Sequence, residues 1–205
     1  VKIPADLVTA RAEACALAQA AWVEARQKDD FGLFRPHLER VVDLSRQVAA
    51  AIGTPDPYDA LLDEYEPGMT GAALRGIFDG LRPRLVALLE RIQGASRRPD
   101  REILQRPCPV PDQEAFCRRL MADQGYDLEA GRLDVAVHPF TSGTFGYVRI
   151  TTRYNERYFP TALFGLLHEA GHALYEQGLD PARYRDPAGA PCSLGIHESQ
   201  SRFWE

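Results

Sequence analysis

The sequence predicts a mainly α-helical chain with one small antiparallel β-sheet beside a histidine-bearing helix, and three observations predict it. Apolar residues recur at three- and four-residue spacing over most of 5–93, 112–125 and 160–177, the period of a helix with one buried stripe. Period two appears only over 133–137 and 148–152. The most apolar helical segment carries two histidines four residues apart. A length of 205 residues is enough for one domain or segment with a real core. It divides by pattern into 1–93, a helical hairpin and long helices; 94–111, an extended connector; and 112–205, a half holding the histidine helix and the sheet.

The first helix is predicted over 5–28, where Leu7, Ala10, Ala14, Ala18, Ala21, Trp22 and Ala25 share one face. The second carries Phe34, Leu38, Val41, Val42, Val48 and Ile52 and stops at Gly53. Only Asp29 and Asp30 separate the two, so an antiparallel hairpin or a bent pair is expected. After the turn at 54–57, residues 58–66 read as a short acidic helix with an aromatic edge. Leu74, Ile77, Phe78, Leu81, Leu85, Leu88 and Ile92 form a long helix started by Thr70, in which Pro83 predicts a kink or break. Arg97-Arg98-Pro99-Asp100 and the prolines at 107, 109 and 111 favour an extended stretch. Asp112 is expected to cap the next helix, which carries Phe116 and Leu120 and ends at Gly125.

Leu133, Val135 and Val137, then Val148, Ile150 and Thr152, alternate with polar neighbours and predict two antiparallel strands joined by a loop over 139–146. His138, at a strand end, is by default structural, and Arg149 and Arg153 are by default surface or ion-pair residues. A helix then runs from Pro160 to Gln177 with Gly178 as its stop, and a loop rich in Pro, Gly, Asp and Arg leads to a last helix beginning near Ser193.

The chemistry concentrates in His168-Glu169-Ala170-Gly171-His172. Four residues is slightly more than one helical turn, so both imidazoles project from one face and can hold one Zn²⁺, while Glu169 is placed to take a proton from a water on that metal. The pattern also arises by chance on solvated helices. Here, however, Phe164, Leu166, Leu167, Ala170, Ala173 and Leu174 make the flanks apolar, where two histidines and a glutamate are costly to bury without a partner. A catalytic zinc takes three protein ligands and leaves one position for water. Glu176 lies two turns past His168, about 12 Å along the axis at 1.5 Å per residue, too far to share that ion. Glu198, within 196–202 on the last helix, is the better third ligand. Co²⁺ or Mn²⁺ could occupy the same donors.

The stretches 58–68 (YDALLDEYEPG), 138–140 (HPF), 148–154 (VRITTRY), 168–172 (HEAGH) and 197–202 (HESQSR) follow one another as in the M32 metallocarboxypeptidases, the carboxypeptidase Taq family, which the chain resembles. The resemblance implies a helical metallopeptidase core, zinc held by His168, His172 and Glu198, and Glu169 as general base. It also implies peptide substrates shortened from the C-terminus, a homodimer, and His138 as a residue of the site wall. Arg149 is the candidate for gripping a peptide carboxylate, since an arginine fork binds it bidentately. The family's D-x-R-x-T stretch has Tyr147 in place of the aspartate, with Arg149 and Thr151 kept. Downstream I-R-x-x-A-D and G-x-x-Q-D-x-H-W stretches, which supply substrate contacts including the main carboxylate-binding arginine, do not occur here. The chain is therefore expected to be the central segment of a longer enzyme. The competing reading is a truncated, non-catalytic helical module that keeps the metal as a structural staple or binds a protein partner.

Composition bounds the rest. Hydrophobic content of 45% and charged content of 26% are ordinary for a globular protein. The net charge of −5 speaks against nucleic acid as a partner. No apolar run approaches the roughly 18 residues of a membrane helix, and no signal peptide opens the chain. Cys15, Cys108, Cys117 and Cys192 lack C-x-x-C spacing and read as reduced thiols of a cytoplasmic protein.

Overall fold

The computed structural model describes residues 3–144, 146–184 and 186–205, which divide into two compact units, 1–90 and 91–205. In the first unit, α1 (Ala5–Lys28) and α2 (Phe31–Ile52) pack side by side as a hairpin. Asp29 makes the reversal with a left-handed φ of 51°, and the Asp30 carboxylate then accepts from the Gly32 N–H at 2.8 Å to start α2. Leu44, Val48 and Ala49 are the buried positions of α2. Next, α3 (Pro57–Leu62) begins on Asp56, whose carboxylate accepts from Tyr58 N–H. Asp59 and Asp63 serve the backbone: the first accepts from Gly71 N–H at 2.7 Å, the second from Gly68 N–H at 2.8 Å. Asp59 and Asp63 thus tie the turn after α3 together, while Glu64 pairs with Arg11.

Thr70 starts α4 (Gly71–Gln93) by accepting from Ala73 N–H, and the helix continues through Pro83 as one element. The break expected there is absent because the carbonyl left without a donor, four residues back at Asp79, lies on an exposed stretch where water can satisfy it.

In the second unit a short 3₁₀ turn (Glu102–Gln105) interrupts the connector, and α5 (Val110–Asp123) follows. Its N-cap is Pro109, with Val110 and Pro111 opening the helix; Asp112, expected as the cap, sits in the first turn. Proline is well suited to a helix start, where an amide N–H has no intrahelical partner.

The sheet is three-stranded and mixed, in the order β1-β3-β2, with β1 at Gly131–Val135, β2 at Thr141–Thr144 and β3 at Tyr147–Thr152. The antiparallel pairing expected of the two apolar strands is corrected: β1 runs parallel to β3, with Leu133 opposite Ile150. The antiparallel partner of β3 is β2, inside the predicted loop, with Thr141 opposite Ile150 and Ser142 opposite Arg149. β2 occupies one edge of β3 and β1 the other, and the short link over 136–140 starts β2 at the end of the sheet where β1 finishes, with Val135 opposite Thr152 and Thr141 opposite Ile150, so β1 runs parallel to β3.

Packed on this sheet is α6 (Pro160–Gln177), with α7 (Leu194–Trp204) beyond it. Cys117 and Met121 of α5, Leu133, Val148 and Ile150 of the sheet, and Ala162, Leu166, Ala170 and Ala173 of α6 form one buried cluster. Tyr126 closes it with a short hydrogen bond from its hydroxyl to the Val148 carbonyl, and burial pushes its phenol up to about 12. Among the described residues no helix is long and apolar enough to cross a membrane.

Candidate metal centre

The small residues of α6 decide how close α7 can come. A Cβ on Gly171 would lie 2.5 Å from the Gln200 carbonyl oxygen and 2.6 Å from Ser201 Cα, distances that real side chains do not tolerate. Gly171 therefore lets two helix backbones touch, and Ser201 is fully buried at the crossing. One turn before Ser201 on α7, Glu198 reaches the histidine face of α6.

His172 Nε2 stands 3.4 Å from Glu198 Oε2, and His168 Nε2 stands 3.8 Å from Glu198 Oε1. One donor atom from each of His168, His172 and Glu198 lies within 4.8 Å of the others, the three-residue set that the sequence predicts. Zinc–nitrogen and zinc–oxygen bonds of about 2.0–2.2 Å in a tetrahedron put neighbouring donors about 3.3–3.6 Å apart. The two carboxylate–imidazole separations are close to that, and the donor set of two imidazoles and one carboxylate is a zinc type, so the residues fit a divalent metal. The open side of the site lies at Glu198, whose side chain is 43% exposed against 14% for His172.

Each imidazole is held from behind by its other nitrogen. His168 Nδ1 lies 2.7 Å from Glu205 Oε1, and Arg202 grips the second oxygen of Glu205 at 2.6 Å. Burial pushes the Glu205 carboxyl up, but the hydrogen bonds from His168 and Arg202 outweigh it and leave it below the ordinary value. His172 Nδ1 lies 2.7 Å from His197 Nδ1, and His197 Nε2 lies 2.8 Å from Glu176 Oε1. Burial first, then the nearby His197 and His168, lower the His172 pKa, which favours the neutral imidazole that a metal requires. Glu176, rejected in the sequence as a third donor, is thus placed behind His172.

Glu169 is 6% exposed and projects from α6 toward β2, where Thr141 Oγ1 lies 2.8 Å from both its Oε2 and its backbone carbonyl. A hydroxyl has one proton, so it serves one of the two at a time. Thr141 escaped sequence reasoning because its strand carries no apolar alternation, and Glu176 and His197 because their pairing spans two helices.

The structure does not gather every expected site residue. His138 is exposed between β1 and β2, with Nδ1 2.6 Å from the Pro139 carbonyl, three residues before Thr141. Arg149 is exposed on the face of β3 opposite Val148 and Ile150, hence away from α6, and its guanidinium sits over the Tyr147 ring.

The family model of the carboxypeptidase Taq (M32) metallopeptidases matches residues 1–205. The chain belongs to the M32 family. Its M32 relatives include thermostable carboxypeptidase 1 of Thermus thermophilus, 48% identical over 99% of this chain and 42% of the relative. Carboxypeptidase 1 of Bacillus subtilis is 41% identical over 93% of the chain and 38% of the relative. Among solved structures, the M32 carboxypeptidase of Deinococcus radiodurans R1 superposes with a TM-score of 0.85 at 42% identity, over 100% of this chain and 41% of that one. The chain spans about two fifths of the length of the M32 relatives it matches.

Proposed function

We propose that this chain carries the metal-binding part of a metallocarboxypeptidase that removes residues from the C-terminus of peptides. The observation that carries the reading is the convergence of His168 Nε2, His172 Nε2 and the Glu198 carboxylate on one point of the α6–α7 crossing, in a chain of the M32 family. His168, His172 and Glu198 hold the metal, for which zinc is the first choice and Co²⁺ or Mn²⁺ suit the same donors. When bound, such an ion polarises the scissile carbonyl and lowers the pKa of a water from 15.7 to about 7.

The remaining steps fall to side chains. Glu169 accepts the proton of the attacking water at its carboxylate and returns it to the leaving amine, and the Thr141 hydroxyl beside Oε2 holds that carboxylate in place. His138, on the segment leading into β2, is assigned to the site wall. For Arg149 as a carboxylate grip the geometry adds no support, since it faces away from α6. The M32 membership supports peptide substrates; the free state of Cys15, Cys108, Cys117 and Cys192 supports a cytoplasmic setting.

The test is elemental analysis of the purified chain beside His172→Ala, with hydrolysis of a C-terminal peptide bond followed in parallel. About one divalent ion per chain, lost in His172→Ala, is expected. In a hydrolytically active form of the protein, Glu169→Gln abolishes turnover and leaves the ion bound; undiminished turnover removes Glu169 from its role. Absence of bound metal in the parent chain overturns the ligand assignment.

A further inference from the structure

His168 and His172 receive different support. Behind His168 stands a carboxylate in direct contact, the usual partner of a metal-binding imidazole. Behind His172 stands another imidazole, and only behind that a carboxylate. An imidazole can donate or accept, so the middle ring matters: the wrong tautomer of His197 would turn the lone pair of His172 away from the metal.

The order of protons follows from the far end of the row. An ionised Glu176 only accepts, so His197 Nε2 must carry the hydrogen directed at it. With a single ring proton, placed on Nε2, His197 has a bare Nδ1, and this atom stands 2.7 Å from His172 Nδ1, in position to accept a hydrogen from it. His172 is left with its lone pair on Nε2, the nitrogen that faces Glu198 at 3.4 Å. The packing holds this order in place. The His197 ring stands edge-on to Tyr175 with centroids 5.0 Å apart and lies 4.7 Å from the His172 ring, and its side chain is 18% exposed. Glu176 comes from the same helix as His172, one turn on, so the row is a bridge from α6 through α7 and back.

We infer that Glu176 and His197 are positioning residues that hold His172 in its Nε2-ligating tautomer and thereby set the affinity of the centre for a divalent cation. This rests on the reading of His168, His172 and Glu198 as metal ligands. Both stand outside the donor set of His168, His172 and Glu198, and the sequence shows no pairing between them. Loss of such an outer partner commonly lowers metal affinity 10- to 100-fold.

Two variants separate positioning from mere packing. His197→Phe keeps a ring against Tyr175 and His172 but offers no acceptor, whereas His197→Gln restores an acceptor without the ring. Zinc affinity is read by chelator competition at one pH, and the His172 tautomer by long-range ¹H–¹⁵N correlation spectra of the metal-free 205-residue chain. The parent is expected to show His172 protonated on Nδ1. His197→Phe is expected to shift that population toward the Nε2–H form and weaken zinc binding about 10- to 100-fold, with partial recovery in His197→Gln. Glu176→Leu should move both readouts in the same direction by a smaller factor. An unchanged tautomer with affinity within twofold of the parent in His197→Phe overturns the inference. If the parent binds no zinc, the ligand reading itself fails, while the tautomer spectra still decide whether the row orders the protons.

Discussion

The two helices α4 and α6 read alike in the sequence and fare differently in the fold. Both are long and carry an apolar stripe. On α4, however, Ile77, Phe78, Leu81, Leu85, Val86, Leu88 and Leu89 are all exposed, and Gly71 at its first position is the sole buried residue. On α6, Ala162, Leu166, Glu169, Ala170, Gly171 and Ala173 are buried, between a sheet on one side and α7 on the other. The apolar pattern states that a helix has a face to hide; it does not state what hides it. Side-chain size carries the further information. A small residue, Gly171, marks where backbones approach on α6, and the large ones named on α4 stay exposed among the described residues.

The contrast is broken most severely at Leu166, which is fully buried. Leu166→Ala is expected to cost about 2–5 kcal/mol, whereas Leu85→Ala, at a position 53% exposed, should stay within about 0.5 kcal/mol in denaturant unfolding. Equal costs at the two sites would mean that the α4 stripe is covered in solution.

Glycine gives a sharper version, because one substitution should change sign between the helices. Nothing lies within 4 Å of a Cβ at Gly76 on α4, so Gly76→Ala should stabilise by about 0.5–1 kcal/mol through helix propensity. Gly171→Ala carries the same propensity gain but drives a methyl into the α7 backbone, so a net loss of about 1–3 kcal/mol with weakened metal binding is expected. Stabilisation in both would show that the α6–α7 crossing is looser than 2.5 Å implies.

The smallest effect is chemical. Cys117 sits in the α6 cluster, where burial pushes its thiol up to about 11, while Cys15 on α1 is exposed. At pH 8 about one Cys117 thiol in a thousand is ionised even before access is considered. Iodoacetamide should therefore label Cys15 in the native chain and reach Cys117 only on unfolding, as mass mapping would show. Early labelling of Cys117 would indicate that the cluster opens locally.

Much of this was legible beforehand, for reasons particular to each element. The α1–α2 pair is set by a periodic face and a two-residue connection, and α6 by Pro160 at its first position and Gly178 past its end. His168, His172 and Glu198 could be chosen because a helical turn fixes the first two and a second helix must supply the third. The β2 strand was not legible, since Thr141-Ser142-Gly143-Thr144 has no apolar residue to alternate. With β2 paired on one edge of β3, β1 takes the other edge and runs parallel to it, an order that the period-two pattern does not state. Nor could Arg149 be placed, because period two gives opposite faces without saying which one α6 covers.

The sequence by itself determined most of the helices and the placing of His168 and His172 on one face of α6, because those depend on near neighbours along the chain. Only the tertiary structure decided the sheet order, the partner of Glu169 in Thr141, and the row from Glu176 through His197 to His172. Each joins residues far apart in sequence, and each depends on distances of about 3 Å that exist only after α6 has settled on the sheet and α7 has crossed it at Gly171.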